Sequence, residues 1–447
     1  MSDLTFSPDS IRGEAVRHLQ ALLRIDTTNP PGNELAAAEY LAGALRAEGY
    51  EPIVMEAAPG RGNLVARYPG DGAGAPLLLY AHTDVVPAEP AKWTHPPFAG
   101  EVAGGSVWGR GALDMKGMVV MELMTLLLLK RRGDALHRDV IFAATADEEI
   151  DSDVGAGWLA TQHPDLVRAE YGLSEFGGYT LHVEGRRFYP VMAAEKGVCW
   201  LRIRARGRPG HGSVPQDDNA VLELARAIDR AAGRPLPLHV TPTAAEFIRR
   251  IAAALDLPQA LSLRALLNPI AHRLFARRAP GDGLAEGLRA SLHNTVSPTR
   301  LAAGVKVNVI PSEAEAALDG RLLPGFDCET FLAELRPRLG SRIEIEVEHY
   351  SAPLEVPTGT PLFRAIESSL GRHDPGGIVV PYMLNGATDA KIFSPLGIRC
   401  YGFSPLKLRP DEPFDRLIHA HDERVSVDAL AFGAQVLYET VRDFCRM

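Results

Sequence analysis

The chain is poor in the features that would commit it to a membrane or to nucleic acid. Its longest apolar run, "MVVMELMTLLLL", is interrupted by Glu122. It falls short of the roughly 20 residues that a spanning helix needs, so it is expected to be a core helix. The opening "MSDLTFSPDS" has no basic start and no apolar stretch behind it, and is not expected to act as a secretory signal. Positive charge is not in excess: the net charge is -9 and the isoelectric point is near 5.9. That leaves no electrostatic footprint for nucleic acid or an anionic membrane, and neither is expected as a partner. Cysteine is scarce, with Cys199, Cys328, Cys400 and Cys445 far apart and in no zinc or redox spacing. The expectation is four buried free thiols in a reducing compartment, hence a cytoplasmic protein. Internal repeats and low-complexity tracts are absent.

What is present is ordinary globular material. The 447 residues, 46 % hydrophobic and 23 % charged, are too many for one core and point to about two domains. Residues 11–25 and 33–48 have helical periodicity and are split by "TTNPPGN". Short β-like runs follow ("LVARY", "PLLLYAH", "DVIFAATA", "YGLS"), with helical segments at 116–132 and 154–162 between them. Strand and helix in alternation indicate an α/β domain with a mostly parallel sheet. From about residue 195 the style changes. "VCWLRIRARG" alternates like a half-exposed strand, and the order β-α-β-β-α-β that it opens is ferredoxin-like. An Ala/Leu/Arg-rich helical insertion interrupts it at about 240–292. After about residue 353 the first style returns. The expected organisation is therefore a discontinuous domain, 1–194 with 353–447, carrying an inserted domain, 195–352.

"TADEEI", residues 145–150, sets Asp147, Glu148 and Glu149 at the end of an apolar run, where adjacent glutamates repel. "PLLLYAHTD" likewise ends in His82 and Asp84, and "YGLSE" in Glu175. Ligand sites of open α/β sheets lie outside the carboxyl ends of the strands. "GRGALDMKG" adds Asp114 in a Gly-rich turn, and "IHAHDE" supplies His419 and His421. Each motif alone is commonplace. Together, two histidines and several carboxylates form a mixed nitrogen and oxygen ligand set that suits zinc or a similar divalent ion. The number of carboxylates suggests two ions with one bridging carboxylate. Neighbouring glutamates are tolerable if a dication neutralises one and the other stays free to take a proton from bound water.

On "AHTDVVP", "GRGALDMKG", "ATADEEI", "GLSEFGG", "GRPGHGS", "VNVIPSEAEAALDGR", "NGATDA" and "IHAHDE", in that order over nearly the whole chain, the sequence resembles the M20 family of metallohydrolases. The resemblance implies a zinc-exopeptidase-like catalytic domain and an inserted ferredoxin-like lid that makes a homodimer. It implies that His82, Asp114, Glu149, Glu175 and His419 bind two metal ions, with Asp114 bridging and the peptide before Met115 cis. Asp84 would orient His82. Glu148 would be the general base and later the acid. His211 would stabilise the oxyanion, reaching across a dimer. Asn308, Arg321, Gly386 and Thr388 would meet a substrate carboxylate, Arg321 through its planar fork. Asp319, Asp389 and Glu423 read as structural. Where the family commonly has "NEGG" this chain has "SEFGG", and Phe176 is expected to narrow the pocket.

The expected function is metal-dependent hydrolysis of N-acyl amino acids or short peptides with a free carboxylate, with zinc as the metal and cobalt or manganese sharing such ligands. A dipeptidase is the alternative within this chemistry. A two-metal phosphohydrolase would need more cations than Arg110 and Lys116 near the ligands, and a silent peptide-binding protein would have no use for Glu148.

Overall fold

Two apolar runs, "LLLYAH" and "VIFAAT", are buried at every position rather than at alternate ones. The computed structural model gives the reason. Strand Leu77–His82 lies between Val140–Thr145 and Tyr171–Ser174 and runs parallel to both. Parallel strands are covered on both faces, so no residue of the run can face water. The structure describes residues 7–275, 283–412 and 414–447. The opening residues 1–6 and residues 276–282 of the expected helical insertion lie outside the described residues.

The chain divides into two compact units, Met1–Ala193 with Val356–Tyr382 and Thr388–Met447, and Ala194–Glu355 with Met383–Ala387. In the first, the central sheet runs Ile53–Ala58, Arg61–Tyr68, Val140–Thr145, Leu77–His82, Tyr171–Ser174, Arg399–Gly402, Arg186–Glu195. Arg399–Gly402 is parallel to its neighbour Tyr171–Ser174, while Arg61–Tyr68 pairs antiparallel with Val140–Thr145. The sheet is thus mixed, with a parallel centre. Helices Pro8–Leu23, Lys116–Arg132 and Val427–Cys445 pack on one another. The greasy run is indeed a core helix, buried from Lys116 to Leu129. It stops at Gly133, whose φ of +61° suits glycine, with Lys130, Arg131 and Arg132 facing the negative end of the helix dipole.

The second unit holds an antiparallel sheet in the order Thr295–Ala303, Glu313–Leu322, Gly197–Arg206, Ile343–Ser351. Strand Glu313–Leu322 alternates buried with partly exposed residues, as a sheet covered on one face requires. Leu201, Ile203 and Leu318 on that face pack with Leu224, Phe331 and Leu335 of helices Ala220–Ala232 and Cys328–Leu339. Asn219 and Asp327 cap those helices with side-chain bonds to the first-turn amides. The layout is ferredoxin-like. Helices Pro242–Ala254, Leu257–Ala265, Pro269–Phe275 and Gly283–Ser291 form the insertion, around Ala244, Ile248, Leu288 and Leu292.

One expectation fails. Cys199 and Cys328 form a disulfide, while Cys400 and Cys445 are not disulfide-bonded. The two partners lie 129 residues apart, a separation that no spacing rule covers. Folding brings them together because the helix that begins at Cys328 packs on the strand that carries Cys199.

Candidate metal centre

The parallel centre of the sheet delivers three strand ends to one edge. His82 is the last residue of its strand. Glu148 and Glu149 follow Val140–Thr145 within four residues, and Glu175 directly follows Tyr171–Ser174. Two further side chains arrive from loops. Asp114 precedes helix Lys116–Arg132, with a cis Asp114–Met115 peptide, and His419 lies before strand Arg424–Ser426. His82 Nε2 is 3.1 Å from Asp114 Oδ1 and 3.6 Å from Glu175 Oε2. His419 Nε2 is 3.1 Å from Asp114 Oδ2 and 3.2 Å from Glu149 Oε1. Among the described residues two groups therefore have metal-ligand spacing: His82, Asp114 and Glu175, and Asp114, Glu149 and His419. Asp114 belongs to both, one oxygen turned to each. His421 belongs to neither. Glu148 Oε2 stands 4.0 Å from His82 Nε2, also outside both groups. One imidazole nitrogen with two carboxylates in each group is a donor set that fits a divalent ion, and the shared carboxylate fits a pair.

These side chains are held by Asp84, to which the resemblance already gave that role, and by partners that the sequence did not announce. Asp84, fully buried, accepts the backbone amides of both Glu148 and Glu149, each at 3.1 Å. His82 Nδ1 donates to the Asp84 carbonyl oxygen at 3.0 Å and lies 3.4 Å from its carboxylate, so that Nε2 is the nitrogen turned to Asp114 and the one that would ligate an ion once the ring is neutral. Asn29 Nδ2 bridges Asp84 and Asp147, and Arg61 reaches both Asp147 and Glu34. The first acid of the "DEE" run thus does not face the cluster. It anchors the turn and has a φ of +69°. Phe176 (φ +55°) and His419 (φ +56°) share that left-handed region, which costs a non-glycine residue about 1–3 kcal/mol and recurs at functional sites. "TTNPPGN" read as a break between helices, and no periodicity marks Asn29 as a ligand of Asp84. The ring of Phe176 meets Phe414 edge-on at 6.2 Å, and Phe414 stacks on Tyr179.

The cluster is short of positive charge. Burial, with the charge of Glu175 next, pushes the Glu148 carboxyl well above the ordinary range. Burial likewise raises Glu175 to about 8, against the pull of His82. Hydrogen bonds to Asp114 and Glu149 raise His419 to about 10. Burial would lower His82, but its bonds to Asp114, Asp84 and Glu175 outweigh this and hold it well above normal. Burial works against Asp114 ionising, yet the two imidazoles keep its carboxyl below the usual carboxylate range. Protons on His82, His419 and Glu175 supply the charge that cations would otherwise bring.

The remaining residues singled out in the sequence belong to neither ligand group. Thr388 is buried in the first unit, and its Oγ1 accepts the Ala390 amide at 3.1 Å. Asp389 accepts the Ser152 hydroxyl. In the second unit His211 is exposed, its Nδ1 2.7 Å from the Ser213 hydroxyl, and the adjoining Gly212 amide donates to the Asn308 carbonyl. Arg321 grips Asp319 with two nitrogens, at 2.8 and 3.1 Å. Gly386 falls in the short segment Met383–Ala387 that belongs to this unit.

Comparison with known proteins agrees with this architecture. The chain is 29 % identical to the N-fatty-acyl-amino acid synthase/hydrolase PM20D1 of Xenopus tropicalis over 379 residues, 82 % of this chain and 72 % of that one. It is 28 % identical to human aminoacylase-1 over 424 residues, 93 % of this chain and 91 % of that one. The solved structure of the M20 family metallo-carboxypeptidase Sso-CP2 from Sulfolobus solfataricus superposes with a TM-score of 0.70. That match covers 97 % of this chain and 100 % of the other at 18 % identity, and it speaks for the fold. The model of peptidase family M20/M25/M40 matches residues 78–443. With most of its length inside that match, and the strand-end cluster within it, the chain belongs to peptidase family M20/M25/M40.

Proposed function

We propose that the chain hydrolyses the amide bond of N-acyl amino acids, or of short peptides, that carry a free carboxylate, and does so with two divalent ions, zinc foremost. The carrying observation is the pair of ligand groups that share Asp114 while Glu148 stands beside them in neither. His82, Asp114 and Glu175 would hold one ion, and Asp114, Glu149 and His419 the other. Bound there, the ions supply Lewis acidity toward a carbonyl oxygen and a water acidic enough to lose a proton near neutral pH. The positive charge of the ions would offset the burial, and the smaller effect of Glu175, that raise the Glu148 carboxyl, and so favour its base form. Glu148 takes the proton of the attacking water and returns it to the leaving amine. Asp84 keeps His82 in the tautomer with a free Nε2 lone pair. His211 donates to the developing oxyanion, and Asn308, Arg321, Gly386 and Thr388 receive the substrate carboxylate. A homodimer through the second unit would place His211 of one subunit at the centre of the other.

The similarity to aminoacylase-1 and to PM20D1, whose names state action on acyl amino acids, supports this substrate class over the dipeptide alternative. Among the described residues no helix is long and apolar enough to cross a membrane, and the proposed location remains the cytoplasm. The test is a panel of N-acetyl and N-fatty-acyl amino acids, dipeptides and a phosphate ester, assayed with zinc, cobalt or manganese and after chelation. Turnover of acyl amino acids that disappears on chelation is expected. Glu148→Gln should retain metal and lose about 10³-fold in turnover. Turnover of the phosphate ester alone, or binding without turnover, would overturn the proposal.

A further inference from the structure

The two ligand groups are not built with equal rigidity. His82 and Glu175 stand at the ends of adjacent parallel strands, buried and fixed by the sheet. His419 sits on a loop with its side chain half-exposed, and Asp114 sits in a turn. Beside the pairing of Arg424–Ser426 with Ser106–Trp108, the loop and the turn are fixed to each other by Glu423. This residue is fully buried, and its Oε1 accepts the amides of Leu113 at 2.8 Å and Asp114 at 3.1 Å. Its Oε2 accepts the Gly111 amide at 3.1 Å and Arg110 Nη1 at 2.7 Å. Its backbone carbonyl takes the Gly109 amide at 3.0 Å. Arg110 then closes the loop, for Nη2 donates to the His419 carbonyl oxygen at 3.3 Å. One carboxylate thus gathers four N–H donors from Arg110 to Asp114, and through the guanidinium it also ties down the backbone of His419, four residues upstream of itself. Such convergence is possible because Gly111 has a φ of +92°, which turns its amide inward.

We infer that Glu423 is a positioning residue for the group Asp114, Glu149 and His419, setting the separation of Asp114 and His419 that this group needs. It acts through Asp114 and His419 and touches no reacting atom. The inference rests on the two-metal reading above. An amide in place of the carboxylate would turn a donor toward the peptide amides and end the charge pairing with Arg110. The His419 loop would then be free to move away from the Asp114 turn, whereas the strand-borne His82 and Glu175 would stay in place; the first group is exposed to the change only through the shared Asp114, the second through both Asp114 and His419. The consequence is unequal: the second ion is weakened much more than the first.

Calorimetric titration of the chelated full-length protein with zinc tests this without any assay of turnover. Wild type should take up two ions. Glu423→Gln should bind the first within about threefold of wild-type affinity and the second about 10–100-fold more weakly. Arg110→Lys, which keeps the charge beside Glu423 but loses the fork that spans to His419, is the second variant should Glu423→Gln not fold. It should weaken the same ion alone. In both variants turnover should fall while KM stays within about threefold, and amide hydrogen exchange at 111–114 should speed up in the metal-free protein. Equal weakening of both ions, or a lowered melting temperature with both affinities at wild-type values, would overturn the inference. A wild-type protein that binds fewer than two ions would instead overturn the two-metal reading on which it stands.

Discussion

Asp84→Asn isolates what holding a ligand is worth, since it alters neither a proposed metal ligand nor the proposed base. The carboxylate has two acceptor atoms and the amide only one. Oδ2 serves two donors, the Glu149 amide at 3.1 Å and Asn29 Nδ2 at 2.9 Å. Oδ1 serves the Glu148 amide at 3.1 Å and faces His82 Nδ1 at 3.4 Å. Its contacts are the longer ones, so the cheaper orientation puts the new NH2 in place of Oδ1, where a donor meets the Glu148 N–H and the His82 Nδ1–H. The loss is one charge-assisted bond, about 1.5–3 kcal/mol, together with a buried donor left unsatisfied, about 1–3 kcal/mol. At roughly 1.4 kcal/mol per decade that is two to four decades at most, and relaxation of the 147–149 turn absorbs part of it. We expect turnover to drop about 100-fold and metal affinity about 10-fold, within the range seen for residues that orient metal ligands. KM should stay within about threefold, because Asp84 is 0 % exposed and out of reach of substrate. Steady-state kinetics on an N-acetyl amino acid at saturating zinc, with metal content measured in parallel, reads both quantities. Wild-type turnover, or a loss confined to KM, would refute the reasoning.

Stability of the metal-free protein should depend on pH in a direction fixed by the cluster. Glu175, raised to about 8, and His419, raised to about 10, hold protons more tightly folded than unfolded. Their contribution is complete below the unfolded values and fades as pH climbs through 8 and 10, so the melting temperature of chelated protein should fall from pH 6 to pH 9; a flat or rising trend would contradict the charge deficit. Loading with zinc should flatten that decline and release protons, seen as a binding heat that varies with the ionisation enthalpy of the buffer. Protein purified without reductant and then denatured should titrate as two thiols, Cys400 and Cys445, and as four after reduction. Four at the outset would contradict the Cys199–Cys328 disulfide.

The sequence by itself determined a good deal. Unbroken apolar runs marked the buried parallel strands, alternation marked the one-faced sheet of the second unit, and acids and histidines placed just after apolar runs marked the strand ends. Those signals are local, because a strand or helix writes its burial into neighbouring positions. Tertiary structure alone decided that Asp147, first of the three acids, anchors the turn while Glu148 and Glu149 face the cluster. It put His419, which the resemblance already favoured over His421, beside Asp114. It made partners of Cys199 and Cys328, and it showed that Asn29, in what read as a mere break, and Glu423, which read as structural, hold the ligands. Hydrogen bonds between residues tens or hundreds of positions apart leave no periodic trace in the chain, and the direction in which a side chain points is set by backbone torsions such as the positive φ of Asp147 and His419 that residue type does not disclose.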